Sequence, residues 1–246
     1  FKEGNPASKI TNESGLVYEI MTPVTEISAD SGDVVQVAFT LWNTEGELVI
    51  TNELPGSPPY QMRVGDSRLA LMDEVLPLMR EGSRYRFEAP PELVYGDKGA
   101  PPYIEPNATT VWEIELQNVN KPLPTPEFSR SPGDKVVTTE SGLQYEIIRE
   151  GTGRAPKIGD RVSVHYAGWL EDGTLFASSY QQGAKASFTV DKVIPGWSEG
   201  LQLMTEGAMY KFTIPPELGY GEKGAGQQIP PNSVLIFLVE LFEVEG

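Results

Sequence analysis
The strongest constraint on this chain is that it repeats itself. Ser14-Gly15-Leu16-Val17-Tyr18-Glu19-Ile20 returns as Ser141-Gly142-Leu143-Gln144-Tyr145-Glu146-Ile147 at an offset of 127. Gly32-Asp33-Val34-Val35 returns as Gly159-Asp160-Arg161-Val162 at the same offset. Further on, Pro90-Pro91-Glu92-Leu93-Val94-Tyr95-Gly96 meets Pro215-Pro216-Glu217-Leu218-Gly219-Tyr220-Gly221 at an offset of 125. The second copy is therefore two residues shorter between these blocks, a change that belongs in a loop. So long a period marks a duplicated domain, since solenoid units run to roughly 20–45 residues. Between the copies, Asn118 to Pro132 carries Pro122, Pro124, Pro126 and Pro132. Proline lacks an N–H and fixes φ, so this stretch suits a semi-stiff linker better than a sheet ladder. The predicted organisation is a domain over residues 8–120, a Pro-rich linker over 121–134 and a second domain over 135–246.

Composition removes whole classes of chemistry. The 246 residues include no cysteine, so no disulfide, thiolate nucleophile or Cys-ligated metal can form. The single histidine, His165, excludes a Ser-His-Asp triad elsewhere and a His cluster for zinc. No metal and no cofactor is expected, and any reaction should need little proton transfer. A net charge of −16 opposes a nucleic-acid partner, because phosphate binding needs clustered Lys and Arg. The plainest role of that charge is solubility, with attraction for basic clients the alternative. No apolar run approaches the roughly 20 residues of a transmembrane helix. The numbering opens at Phe1 and not at Met, which predicts a trimmed or processed chain.

Strand signals dominate the second copy. Val162, Val164 and Tyr166 alternate with Ser163, His165 and Ala167, the period-two pattern of a half-buried strand. Glu171-Asp172-Gly173 follows as a hairpin turn. Met209 to Ile214 and Val234 to Val244 are further strands. One short helix is predicted over Trp197 to Glu206, with Trp197, Leu201 and Met204 on one face and Gly207 ending it. His165 alternates away from Tyr166 and is expected to face solvent or the outer sheet surface. The fold class is α+β, an antiparallel sheet closing over one helix.

Four ordered blocks carry a resemblance. Val164-His165-Tyr166-Ala167-Gly168, Glu171-Asp172-Gly173-Thr174-Leu175-Phe176, Val193-Ile194-Pro195-Gly196-Trp197, and Gly219-Tyr220-Gly221 with Ile229-Pro230-Pro231-Asn232 resemble FKBP domains, which bind tacrolimus and rapamycin. The stretch from Phe188 to Met204 is most similar to the bacterial macrophage infectivity potentiator branch. The first copy resembles the family more weakly. The resemblance implies two FKBP-like domains, each an antiparallel half-barrel sheet around one short helix, with an aromatic pocket between sheet and helix. It implies that Tyr166, Phe176, Trp197, Tyr220 and Phe237 form the catalytic lining. Phe188, Val193, Ile194, Ile229 and Ala177 would contact substrate or macrolide. Trp197 would be the pocket floor, and Tyr220 would offer its hydroxyl to a substrate carbonyl. The implied activity is peptidyl-prolyl cis-trans isomerisation of proline-containing polypeptide clients. Macrolides such as tacrolimus or rapamycin are implied ligands and a homodimer an implied assembly. The bacterial secreted branch and the missing initiator point to the periplasm or cell surface, with the cytoplasm as the alternative.

Elementary chemistry fits that activity. Twisting an amide costs about 18–20 kcal/mol because conjugation must be broken. A twisted amide is less dipolar than a planar one, so a dry apolar pocket disfavours the ground state relative to the transition state. No nucleophile, metal or base is needed. One departure stands in the second copy: the family usually has an acidic residue after Phe176, and here Ala177 occupies that place. The first copy departs further, with Phe39 for Tyr166, Val49 for Phe176, Ile50 for Ala177 and Met72 for Trp197, while Tyr95 matches Tyr220. Pro77 falls inside its expected helix, where proline costs about 3 kcal/mol unless it sits in the first turn. The first copy therefore reads as a retained fold with a degraded site, serving structure or client binding. A non-enzymatic chaperone or protein-binding module is the rival reading for the whole chain.

Overall fold
The computed structural model describes residues 8–24 and 27–246. Two compact units divide the chain between Lys121 and Pro122. In the first, the strands are β1 (Ile10–Thr11), β2 (Val17–Thr22), β3 (Val34–Trp42), β4 (Leu48–Thr51), β5 (Tyr60–Arg63), β6 (Arg84–Ala89) and β7 (Thr110–Asn120), with one helix, α1 (Ala70–Val75). In the second they are β8 (Val137–Thr138), β9 (Gln144–Arg149), β10 (Arg161–Leu170), β11 (Leu175–Ser178), β12 (Ala186–Thr189), β13 (Met209–Ile214) and β14 (Leu235–Glu245), with α2 (Pro195–Gln202). Each unit is one antiparallel sheet and one short helix, the α+β arrangement expected. The first sheet runs β1-β2-β6-β7-β3-β4 with β5 also on β3; the second runs β11-β10-β14-β13-β9-β8 with β12 also on β10. The edge beyond β10 is thus two half-strands. β12 pairs with Arg161–Val164 and β11 with Ala167–Trp169.

The alternation along β10 sorts its side chains as expected. Val162, Val164 and Tyr166 face the core under the sheet, while Ala167 and Trp169 join a smaller cluster on the outer face. His165 is on that outer face but not in solvent. Only 7% exposed, it stacks on Tyr180 at 4.8 Å and shares a 3.0 Å hydrogen bond between Nδ1 and Ser179 Oγ. The Pro-rich segment after Lys121 supplies much of this outer cover. Leu123 N–H donates to the Tyr180 carbonyl at 2.8 Å, and Phe128 lies 6.0 Å from Trp169. Lys211 Nζ donates to Ser129 Oγ at 2.8 Å. A stretch outside the sheet ladder thereby docks through side chains and a backbone hydrogen bond.

The helix of the second unit spans Pro195–Gln202, which corrects the expected span of Trp197 to Glu206. Proline in the first turn is pre-set for helical φ and needs no N–H there. The end comes early because Leu203 and Met204 N–H donate to the Gly200 and Leu201 carbonyls, tightening the last turn. Glu206 N–H then leaves the helix for the Arg154 carbonyl at 3.0 Å. Gly207, at φ +88°, serves the turn into β13 and does not end the helix. In the first unit Pro77 falls in the first turn of a 3₁₀ segment, Leu76–Leu78, that follows α1, where its missing N–H does no harm.

Equivalent positions show how the two units pack the same frame differently. In the second, Gly196 and Gly200 let α2 lie close to the sheet; an added Cβ would come within 2.6 Å of Ile214 Cγ2 and 2.7 Å of Phe212 Cε1. In the first, the equivalent residues are Leu71 and Val75, both fully buried, and Ala89 replaces Ile214. Bulk lost from the sheet is regained on the helix. The pocket floor is exchanged in the opposite sense, Met72 for Trp197 on the helix and Trp112 for Phe237 on the strand. The offset between copies also falls in two steps. It is 127 for Val35 and Val162, 126 for their partners Met62 and Phe188, and 125 from the helices onward.

Candidate functional site
A cavity of about 420 Å³ opens between α2, the two half-strands β11 and β12, and the segment before β14. Its lining is Tyr166, Phe176, Ala177, Phe188, Lys192, Val193, Ile194, Trp197, Tyr220 and Phe237. The structure thus brings together every site residue predicted from sequence except Ile229. Ile229 is 7% exposed and packs in the core, where it bridges to Ala225. Lys192 is the lining residue that sequence reasoning missed. It directly precedes the Val193 block, and its position there was the available signal.

The aromatic rings form a continuous edge-to-face set. Trp197 meets Tyr166, Phe188 and Phe237 with centroids 5.3 Å away in each case, at 89°, 77° and 85°. Phe176 meets Phe237 at 5.4 Å and 89°. Such pairs are worth about 0.5–1.5 kcal/mol each beyond area burial, so the lining is held rigid by its own contacts. Gly168 makes this approach feasible. A Cβ there would lie 2.6 Å from Phe237 Cε1 and 2.9 Å from Phe176 Cζ.

Local chemistry places each wall. α2 begins with Pro195, so Trp197 falls in its first turn, 4% exposed, with its ring under the cavity. Tyr220 sits between two 3₁₀ turns, Pro216–Leu218 and Gly221–Lys223, and is 41% exposed at the cavity mouth. That segment closes on itself: Asn232 N–H donates to the Gly221 carbonyl at 2.9 Å, and Ala225 N–H to the Ile229 carbonyl at 2.9 Å. Gly224, at φ +62°, is required there, because a Cβ would run into the Ile229 carbonyl oxygen.

Polar groups around the cavity are few. Burial, with Tyr220 beside it, pushes the Tyr166 phenol above its ordinary range, so it is a neutral donor at neutral pH. Among the described residues the buried Trp197 indole N–H has no hydrogen-bond partner. Lys192 Nζ is 3.4 Å from Asp191 Oδ2 and largely exposed. Among the described residues no cluster of three or more His, Asp or Glu could hold a metal ion. An apolar aromatic box with a few hydrogen-bond donors can desolvate and orient a polypeptide segment; it offers no nucleophile.

The first unit has a smaller counterpart of about 270 Å³, lined by Phe39, Ile50, Tyr60, Met62, Ser67, Arg68, Leu69, Met72, Tyr95 and Trp112. Phe39 lies 5.9 Å from Trp112, whose Nε1 donates to Thr110 Oγ1 at 2.9 Å. Val49 packs against the core, and Ile50, 51% exposed, reaches the cavity.

Two wrapped sheets with an aromatic box against each helix define the class, and the comparisons agree: the chain belongs to the FKBP-type peptidyl-prolyl cis-trans isomerase family, whose pattern matches residues 25–117 and again residues 152–242. The chain is 54% identical over 110 residues to the FKBP-type peptidyl-prolyl cis-trans isomerase FkpA of Aeromonas hydrophila, covering 45% of this chain and 41% of that protein. It is 55% identical over 109 residues to the FKBP-type 22 kDa peptidyl-prolyl cis-trans isomerase of Escherichia coli K12, covering 44% and 53%. It is 46% identical over 114 residues to the peptidyl-prolyl cis-trans isomerase Mip of Coxiella burnetii, covering 46% and 49%. The chain spans about half the length of the curated relatives it matches. No helix among the described residues is long and apolar enough to cross a membrane.

Proposed function
We propose that this protein catalyses cis-trans isomerisation of X–Pro bonds in polypeptide clients, in the aromatic cavity of the second unit. The observation that carries the reading is the Trp197 floor ringed edge-to-face by Tyr166, Phe188 and Phe237. The proline ring enters over Trp197, and Phe176, Val193 and Ile194 enclose it. The less dipolar twisted amide is favoured over the planar one in this dry lining. Tyr220 at the mouth and Tyr166 within donate hydrogen bonds to the flanking backbone, and Ala177 leaves that wall without an acceptor. Ile229 acts from behind, fixing the segment that carries Tyr220. Macrolides such as tacrolimus or rapamycin compete for the same space.

In this reading residues 135–246 form the isomerase domain, residues 121–134 the connection, and residues 8–120 an FKBP-like domain with a structural or client-binding role. The clients are folding or exposed polypeptides in a bacterial periplasm or at a cell surface. The test is magnetisation-exchange NMR on a short peptide with an apolar residue before proline, with the intact chain and with Trp197→Leu. Exchange accelerated by the intact chain and much slower with the variant is the expected result. No acceleration at high protein concentration would leave a non-enzymatic chaperone as the function.

A further inference from the structure
The cavity of the first unit departs from the second in chemistry as well as size. Arg68 stands where the second unit has Val193, two residues before α1 begins at Ala70. Its side chain lines the cavity beside Phe39, Tyr60, Met72 and Trp112. Among the described residues no carboxylate pairs with Arg68. The nearby Asp73 is engaged instead with the Gly65 and Ser67 N–H groups, at 3.1 and 3.2 Å. The mouth is apolar and open, with Ile50 and Tyr60 each more than half exposed. The exchange of Met72 for Trp197 and Trp112 for Phe237 keeps a lined space instead of closing it.

We infer that this cavity is a second binding site, which takes a bulky apolar side chain of an extended polypeptide whose next residue is acidic. The walls supply aromatic and thioether contacts for the apolar group. Arg68 supplies a charged fork for the carboxylate, the planar geometry that arginine offers and lysine does not. At about 270 Å³ against about 420 Å³ the space suits a single bulky side chain. With Met72 in place of the Trp197 floor and Phe39 in place of the Tyr166 hydroxyl, the site holds clients and does not turn them over. The inference rests on the client-binding role given above to residues 8–120.

Methionine methyl signals separate the two cavities. Met62 and Met72 line the first, and no methionine lines the second. The experiment uses the whole chain with ¹³C-methyl methionine and the blocked, proline-free peptide Ala-Leu-Phe-Asp-Ala, alongside its Phe-Asn analogue. Saturable shifts at Met62 and Met72 are expected, while Met204 and Met209 stay still. The Asn peptide, or the Asp peptide on Arg68→Gln, should bind about two- to five-fold more weakly, as for a solvent-accessible ion pair. The Asn peptide should lose nothing further on the variant. Still Met62 and Met72 signals at millimolar peptide, on the order of the weakest specific affinities, would overturn the site. Equal affinity for the two peptides would overturn the role of Arg68. Prolyl turnover measured on the unmodified sample keeps failure of this site apart from failure of the isomerase reading.

Discussion

Replacing Trp197 by leucine tests whether the floor belongs to the cavity or to the core. The indole has three edge-to-face partners at 5.3 Å, which at about 0.5–1.5 kcal/mol each amounts to about 1.5–4.5 kcal/mol lost. Opposing this, the buried Nε1–H has no partner among the described residues, and removing such an unsatisfied donor returns about 1–3 kcal/mol. The vacated volume adjoins an open cavity that water can enter, so little of the usual penalty for an empty void applies. Leucine is a good helix former, and Leu201 and Met204 still anchor the buried face of α2. The net expectation is a loss of about 1–2 kcal/mol in the second unit, with prolyl turnover reduced far more than that loss accounts for. Hydrogen exchange of the β10–β14 ladder measures the stability of that unit without assuming that the whole chain unfolds in one step. A loss beyond about 4 kcal/mol, at the upper end for large-to-small core changes, with normal turnover per folded molecule would refute this partition and make Trp197 an ordinary core residue.

Three further outcomes follow from the same contacts. Gly200→Ala gains about 1 kcal/mol of helix propensity, but its methyl would stand 2.7 Å from the fully buried Phe212 ring; overpacking of about 1–3 kcal/mol should win, and a stabilised variant in urea melts would show that the helix can ride outward freely. His165 is held below the ordinary imidazole range by burial first, with Lys185 adding and Glu240 opposing. The folded state therefore takes up a proton less readily than the unfolded chain, so this contribution is whole above about pH 6.5 and declines as pH falls toward the folded value. Urea midpoints should drop between about pH 7 and about pH 5.5, and His165→Gln should flatten that drop; an equal drop in the variant places the titrating group elsewhere. Ala177→Asp adds an acceptor to the cavity wall, and a hydrogen bond to a charged group is worth about 1.5–3 kcal/mol. Rapamycin binding by calorimetry should tighten accordingly, and unchanged binding would mean that the carboxylate does not reach the ligand.

What could be read from sequence was whatever depends on local pattern. The Val162-Val164-Tyr166 alternation gave a strand because period two has one geometric solution, and Gly173, at φ +88°, sits in the turn that its position implied. The end of α2 was not legible. Leu203 and Met204 extend the apolar spacing, and only the tertiary bond from Glu206 N–H to Arg154 shows that the chain has already left the helix. Alternation puts His165 in solvent or on the outer sheet surface, but its cover comes from Tyr180 and Phe242, whose approach no local pattern records. The docking of the Pro-rich segment was hidden for the same reason: Phe128 reads as a lone aromatic until Trp169 stands opposite. Ile229 and Lys192 mark the limit at the cavity. A block places a residue to within a side chain's reach, and which of two neighbours faces inward is decided by backbone turns such as the one at Gly224.

The opposed exchanges of bulk between the two units bear on how the chain avoids tangling with itself. Tandem domains of like sequence are prone to assemble with pieces of one in the other. Here such a hybrid is penalised from either direction. Laid on the first sheet, α2 would bring Trp197 against Trp112, two indoles in the space for one, while Gly196 opposite Ala89 would leave a hole. Laid on the second sheet, α1 would drive Leu71 and Val75 into Ile214 and Phe212 and leave Met72 short of Phe237. Each helix is a key cut for its own lock, and the sizes of three buried helix-to-sheet pairs tell the nascent chain which half of itself it has met.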